Sequence, residues 1–159
     1  MVSISLHELE ENRFSKASLY GKLAKLYPDL PSRALYQTGV FKMCTGADPL
    51  TGEKKFRGAF NFMNAAKFVF SANTVPRSPS DDSDAFFRRW IIIPFPNKFE
   101  GDNRDERILA KLTTSTELSG LLSLALKALR ELLRRGAFIN DEPTEQKRTR
   151  YIRLMSSHR

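Results

Sequence analysis

Residues 48–73 read DPLTGEKKFRGAFNFMNAAKFVFSAN. Phe56, Phe60 and Phe62 recur at even spacing, which puts one face of a strand against the body of the protein, and Thr51-Gly52 is a turn signal. Asp48 to Phe62 is therefore expected to form a β-hairpin. Lys67 to Ala72, KFVFSA, is β-branched and aromatic and reads as a buried strand that delivers Asn73 at its end.

Upstream, Pro28 stops a strand expected over Leu19 to Tyr27, with Asp29 just past it, and a helix is expected over Ser32 to Cys44 with Gly46 as its stop. Ser5 and Glu8 have capping-box spacing and open a short helix over Leu6 to Arg13, preceded by a short strand end at Val2 to Ser5. Downstream, Thr74 to Asp84 is a polar loop and Trp90 to Phe95, WIIIPF, reads as a second strong strand ended by Pro94 and Pro96. Helices follow over Asp105 to Leu112, over Glu117 to Arg135 with leucines in a 3.6-residue period and Gly136 as stop, and from Pro143 onward. The order is mixed α/β over residues 1–100 and all-helical over 101–159.

A chain of 159 residues with 41% hydrophobic and 28% charged residues can close a single core. Lys plus Arg is 26 and Asp plus Glu is 18, a net charge of +8, which favours an anionic partner. Residues 1–126 hold 17 basic and 14 acidic side chains and residues 127–159 hold 9 and 4, so the last helix, with Lys147, Arg148, Arg150 and Arg153, is a second basic candidate surface. Cys44 is the single cysteine, which excludes an intrachain disulfide, and with His7 and His158 at opposite ends there is no zinc signature. No apolar run approaches the length of a bilayer span, and the N-terminus has no signal-peptide pattern, so a soluble cytoplasmic protein without a membrane partner is expected.

Four short constellations carry chemistry, each with a plainer alternative. An acid past a buried parallel strand, here Asp29, can hold Mg²⁺ or a water against a phosphate; it can equally cap the next turn. Lys54, Lys55 and Arg57 bracket Phe56 at a loop tip, a pattern that suits a nucleic-acid backbone with the ring stacking on a base; the alternative is a basic turn with Phe56 folded into the core. Asn73 can orient an attacking water or simply occupy a turn. Arg88 and Arg89 can reach a phosphate in cis or across a subunit interface; otherwise they pair with Asp81, Asp82 and Asp84.

Taken in order, the strand and acid, then TGADPLTGEKKF, KFVFSANTVP and DSDAFFRRWIIIPFP, resemble the superfamily III helicases, and more narrowly the primase-helicase family of phages and plasmids. The resemblance runs from about Ser3 to Met155 and is most specific from Phe41 to Phe99. It implies a partial AAA+ (P-loop NTPase-like) parallel sheet with a β-hairpin insertion and a C-terminal helical region. Such modules work as rings, usually hexamers, that move along single-stranded DNA. The resemblance places Asp29 at the Walker B position, which contacts the metal, and Asn73 at the sensor asparagine. It puts Lys54, Lys55 and Phe56, with Arg57 beside them, on the hairpin that grips DNA, and Arg88 or Arg89 at the arginine that reaches a neighbour's ATP; of these two, Arg89 lies nearer the strand. In TGAD, Ala47 stands where the family motif is usually glycine. No stretch matches the phosphate-binding G-x-x-x-x-G-K-[ST]: Gly21-Lys22 is followed by Leu23, with Lys16 five residues before. The family carries that loop on an upstream segment. ATP and Mg²⁺ are thus expected only in the complete module, with none for the isolated chain. The alternative is a stand-alone, non-catalytic DNA-binding or ring-assembly module.

Overall fold

The computed structural model describes residues 1–139 and 141–156 of the chain; His158 lies outside the described residues. They form a mixed α/β fold with two small sheets. The chain divides into two compact units, Met1–Ile92 with Pro143–Arg159, and Ile93–Glu142. This division differs from the expected boundary near residue 100. The last helix belongs with the α/β part, because its one buried aromatic completes that core.

The first unit begins with α1 (Leu6–Glu11). Its capping box is formed as the spacing predicts: Ser5 Oγ accepts from Glu8 N–H at 3.0 Å and Glu8 Oε2 accepts from Ser5 N–H at 3.1 Å. A 3₁₀ turn over Ser15–Leu19 comes next, so the expected strand over Leu19 to Tyr27 is reduced to β1 (Ala24–Tyr27). Leu19 is fully buried at the end of that turn rather than alternating along a strand. The helix expected from Ser32 starts later, as α2 (Thr38–Thr45). Gly46 N–H closes its last turn on Met43 O at 3.3 Å.

The hairpin consists of β2 (Pro49–Gly52) and β3 (Phe60–Met63), paired antiparallel with Gly52 opposite Phe60. Thr51 and Gly52 therefore lie in the strand, and the turn is the longer loop from Glu53 to Ala59. Gly52 is needed for close packing: a Cβ there would meet the Phe60 ring at 3.0 Å and Ala17 Cα at 3.1 Å. Phe62 is buried and Phe60 half-buried, with Tyr20 set edge-on to both at 5.2 and 5.6 Å. Phe56 does not share their face, because it lies in the loop and not in the strand.

β4 (Lys67–Phe70) pairs parallel with β1, Ala24 to Tyr27 facing Lys67 to Phe70 in register, and Val2 adds a parallel bridge to Lys25 on the other edge of β1. Lys25, Tyr27, Phe68 and Phe70 share the face turned to the core, while Leu26 and Val69 face outward and are exposed. WIIIPF is the clear departure from expectation. Among the described residues no strand forms at Trp90 to Phe95. Trp90 and Ile92 pack on the core while Ile91 and Ile93 are exposed, so the alternation is kept without a ladder. No described strand pairs with the segment, and Pro94 and Pro96 have no N–H to donate.

A short helix α3 (Asp84–Phe87) supplies Phe86 and Phe87. Phe41, Phe86, Trp90 and Tyr151 form a ring cluster with centroids 5.0–5.8 Å apart. Buried rings of this kind stabilise by roughly 1.5–3 kcal/mol each. Tyr151 comes from the last helix, α6 (Thr144–Ser156), and its hydroxyl donates to Pro76 O at 2.6 Å.

The second unit contains a 3₁₀ turn (Gly101–Asn103), α4 (Ile108–Leu112) and α5 (Ser115–Arg135). Thr114 caps α5 by accepting from Glu117 N–H, and Gly136 ends it at φ +73°, as the sequence predicts. No described helix is long and apolar enough to cross a membrane.

Lys25 is fully buried in the middle of β1 and its Nζ has no hydrogen-bond partner. The ammonium lies over the rings of Phe68 and Phe70 at 4.6 and 4.3 Å. Burial pushes its pKa down to about 8, with Cys44 and Glu8 pulling weakly the other way. Below pH 8 the folded state carries the cost of a buried charge. Between about 8 and the unfolded value of 10.5 the folded chain gives up its proton while the unfolded chain keeps it, so stability rises with pH. Lys25→Met is expected to raise the thermal midpoint at pH 7 and to remove that rise, which thermal unfolding followed by circular dichroism from pH 7 to 10 will check.

Candidate functional site

β1 and β4 run parallel, so the turns after both strands emerge at the same edge of the sheet. Asp29 emerges two residues after β1 and Asn73 three residues after β4, and both are exposed. The two turns are tied together: Asp29 N–H donates to Ser71 Oγ at 3.3 Å and Leu30 N–H to Ser71 O at 2.7 Å. Asp29 itself sits at φ +66°.

Three non-glycine residues in the described chain adopt positive φ: Asp29, Ala47 at +59° and Phe56 at +61°. Each lies in one of the candidate motifs of the sequence. A left-handed residue other than glycine costs on the order of 1 kcal/mol, and such strain gathers where geometry serves function. Ala47 stands where the resembled motif has glycine, and its φ is the physical reason glycine suits that place.

The hairpin tip is a β-turn in which Arg57 N–H donates to Lys54 O at 3.1 Å. Phe56 takes the third position of that turn, with the positive φ for which glycine is the usual choice. Its ring is entirely exposed, so it is not folded into the core. Lys55 and Arg57 are exposed beside it, and Lys54 is exposed with its ammonium 5.7 Å above the Phe60 ring.

Arg88 and Arg89 part company. Arg88 is exposed. Arg89 turns inward over the TGAD segment, where Nη1 donates to Ala85 O and Nη2 lies 2.9 Å from where a Cβ on Gly46 would be. Burial and the neighbouring Arg88 lower its pKa while Asp48 and Asp81 oppose this. Gly46 is what lets the guanidinium approach the backbone so closely.

The acidic loop is not paired by these arginines. Asp82 and Asp84 are bridged by Arg148 of α6 at 2.9 and 3.0 Å, and Arg148 also lies over the Phe87 ring at 4.9 Å. Lys147 reaches Arg88 O and Arg150 reaches Ile92 O, both at 3.4 Å. Three of the four basic residues named on the last helix thus fasten it to its own unit.

Asp81 is the residue that sequence reasoning undervalued. Its carboxylate is buried and accepts from Thr38 Oγ1, from Lys42 Nζ at 2.7 Å, and from Ser83 N–H and Oγ at 3.1 and 2.5 Å. Burial alone would raise its pKa, but the hydrogen bonds from Lys42, Ser83 and Thr38 outweigh it and hold the carboxyl well below the usual range. Asn64 was missed too: its amide donates to Cys44 O at 2.8 Å and to Ala66 O at 3.2 Å, and holds the β3–β4 connection against the end of α2. The local signal for Asp81 was serines at 78 and 83, a turn-forming pattern that does not announce a partner 39 residues away.

Among the described residues no group of three or more His, Cys, Asp or Glu could hold a metal ion. Asp29 is a lone carboxylate, a donor set that suits Mg²⁺ only where phosphate oxygens and water complete the octahedron.

A family model matches residues 1–89, more than half of the chain. The chain belongs to DUF5906, a family of unknown function. The DUF5906 match spans Asp29, TGAD, the hairpin tip, Asn73 and both arginines, and ends before the second unit. No curated protein matches the chain.

The Asp81 network predicts an acid-sensitive fold. A carboxyl depressed in the folded state contributes fully above its unfolded pKa, near 3.8, and loses that contribution as pH falls toward the folded value. Asp81→Asn should cost about 2 kcal/mol at pH 7, a figure discounted for the partial exposure of Lys42. It should also flatten the loss of stability below pH 4; urea unfolding at pH 7 and at pH 3.5 measures both.

Proposed function

We propose that this chain is the distal part of a superfamily III-like AAA+ helicase module, acting in the cytoplasm, and that its own contribution is to grip single-stranded DNA through the Lys54–Arg57 tip. The observation that carries this reading is Phe56: an aromatic ring held wholly in solvent, on a strained backbone, between Lys54, Lys55 and Arg57. A ring in the core would stabilise the protein, and glycine would relax the turn, so local stability does not account for phenylalanine at this position. Cationic side chains meet phosphates, and a free aromatic face stacks on a base without regard to sequence.

The carboxyl edge of β1 and β4 supports the second half of the proposal, a partial P-loop-like parallel sheet. Asp29 there would hold a metal-bound water and Asn73 would orient the attacking water, once a P-loop-bearing segment supplies ATP and Mg²⁺. In a homo-oligomeric ring Arg88, turned to solvent, is better placed than Arg89 to reach a neighbour's nucleotide. The inward turn of Arg89 onto the TGAD segment favours the rival reading, a stand-alone binding or ring-assembly module without catalysis.

Binding of a labelled oligonucleotide, followed by fluorescence anisotropy across a salt series, tests the grip. Phe56→Gly should weaken binding by roughly 5- to 100-fold with an undiminished thermal midpoint, and Lys54→Ala with Lys55→Ala should lower the salt slope by about 1.4. Unchanged binding in both variants overturns the DNA reading. Under either reading the isolated chain should release no phosphate from ATP above background, with or without DNA; turnover abolished by Asp29→Ala would contradict this.

A further inference from the structure

We propose that Tyr20 is a second stacking platform for the single-stranded DNA that the Lys54–Arg57 tip grips, so that one strand runs along the hairpin from Phe56 past Phe60 to Tyr20. The inference rests on the DNA reading of the hairpin tip and extends that surface toward the base of the hairpin.

Tyr20 and Phe56 are presented in the same way. Tyr20 follows the 3₁₀ turn over Ser15–Leu19 and takes the second position of a closed β-turn. Its φ is −57° and its ψ 126°, Gly21 after it has φ +68°, and Lys22 N–H donates to Leu19 O at 3.0 Å. This is a type II turn, whose third position calls for glycine. Leu19 is fully buried and anchors the turn, while Tyr20 is 57% exposed. Phe56 is held by the turn that Arg57 N–H closes on Lys54 O. Each ring is thus carried on a backbone already fixed, and an aromatic side chain has few torsions left to order, so stacking a base on it costs little entropy.

The contacts of Tyr20 inside the protein leave one side of its ring free. Phe60 and Phe62 lie 5.2 and 5.6 Å from it and 5.6 Å from each other, so the three centroids form a near-equilateral triangle. Both phenylalanines therefore meet the tyrosine from one side, at interplanar angles of 76° and 82°.

The charge around these rings names the occupant. Lys54 belongs to both platforms: its carbonyl closes the Phe56 turn, and its ammonium lies 5.7 Å from the ring of Phe60, against which Tyr20 packs. A single strand offers the matching alternation of planar bases and anionic phosphates. Glu53, the one acid of the loop, is offset by Arg13 at 3.4 Å. A hydrophobic partner would have to desolvate Lys54, Lys55 and Arg57 without pairing them. Phe56 and Phe60 are four residues apart and so at most about 14 Å apart along the chain, a distance that a few nucleotides cover.

Anisotropy of a labelled single strand with the full chain tests the second platform. Tyr20→Leu keeps an apolar cover on Phe60 and Phe62 but has no π-face, and should weaken binding roughly 5- to 100-fold. The ring carries no charge, so the salt slope should equal that of the unmodified chain, whereas displaced lysines would lower it. Tyr20→Phe should retain full affinity. In Tyr20→Trp the added indole should be quenched as the strand is titrated in, over and above the response of Trp90 in the unmodified chain. That readout holds even where Tyr20→Leu lowers the thermal midpoint. Binding that responds to Phe56→Gly but not to Tyr20→Leu, a loss accompanied by a lower salt slope, or an added indole that the strand leaves unchanged overturns the second platform while the grip at the tip stands. An unmodified chain that binds no single strand overturns both.

Discussion

The Asp81 carboxylate ties the loop before α3 to α2, alongside the hydrogen bonds from Ser80 Oγ to Tyr36 O and from Leu35 N–H to Arg77 O. It takes hydrogen bonds from Thr38 at the start of α2, from Lys42 one turn later, and from Ser83 just before α3. An anion in that position would be costly to bury without them, so helix and loop are coupled: neither keeps its place unless the other does. Phe41 on α2 and Phe86 on α3 are thereby brought edge to face, and Trp90 and Tyr151 close the cluster around them. The seating of α6, and with it the clasp of Arg148 on Asp82 and Asp84, depends on that cluster.

Backbone strain is distributed unevenly. The left-handed residues Asp29, Ala47 and Phe56 mark the end of β1, the TGAD turn and the hairpin tip. Beside Ala47, Gly46 leaves the room that the Arg89 guanidinium takes up. At Phe56 the strain is bound up with nothing inside the protein.

The parallel sheet has two strands. β1 is flanked by Val2 on one side and β4 on the other, whereas no described strand pairs with the far edge of β4. Leu26 and Val69 on the outer face are exposed, as are Ile91 and Ile93 in the extended WIIIPF segment. An apolar strand edge of this kind readily accepts another strand.

The capping box at Ser5 and Glu8, the hairpin, the KFVFSA strand and the long helix ended by Gly136 were legible in the sequence, because caps, alternation and helical period are local and each carries its own pattern. The basic tip was legible too, but not where its ring would point: even spacing suggested that Phe56 shares a face with Phe60 and Phe62, and only the length of the loop decided otherwise. WIIIPF shows the opposite failure, since strand propensity becomes a strand only when a neighbour stands in register to accept its hydrogen bonds. The roles of Asp81, Arg89 and Arg148 were beyond sequence reasoning for one physical reason. A charged residue reads the same whether it is solvated or paired; Lys42 lies 39 residues from Asp81 and Asp82 lies 66 from Arg148, and Arg89 is turned onto Gly46 only by the fold, so tertiary packing assigned these roles.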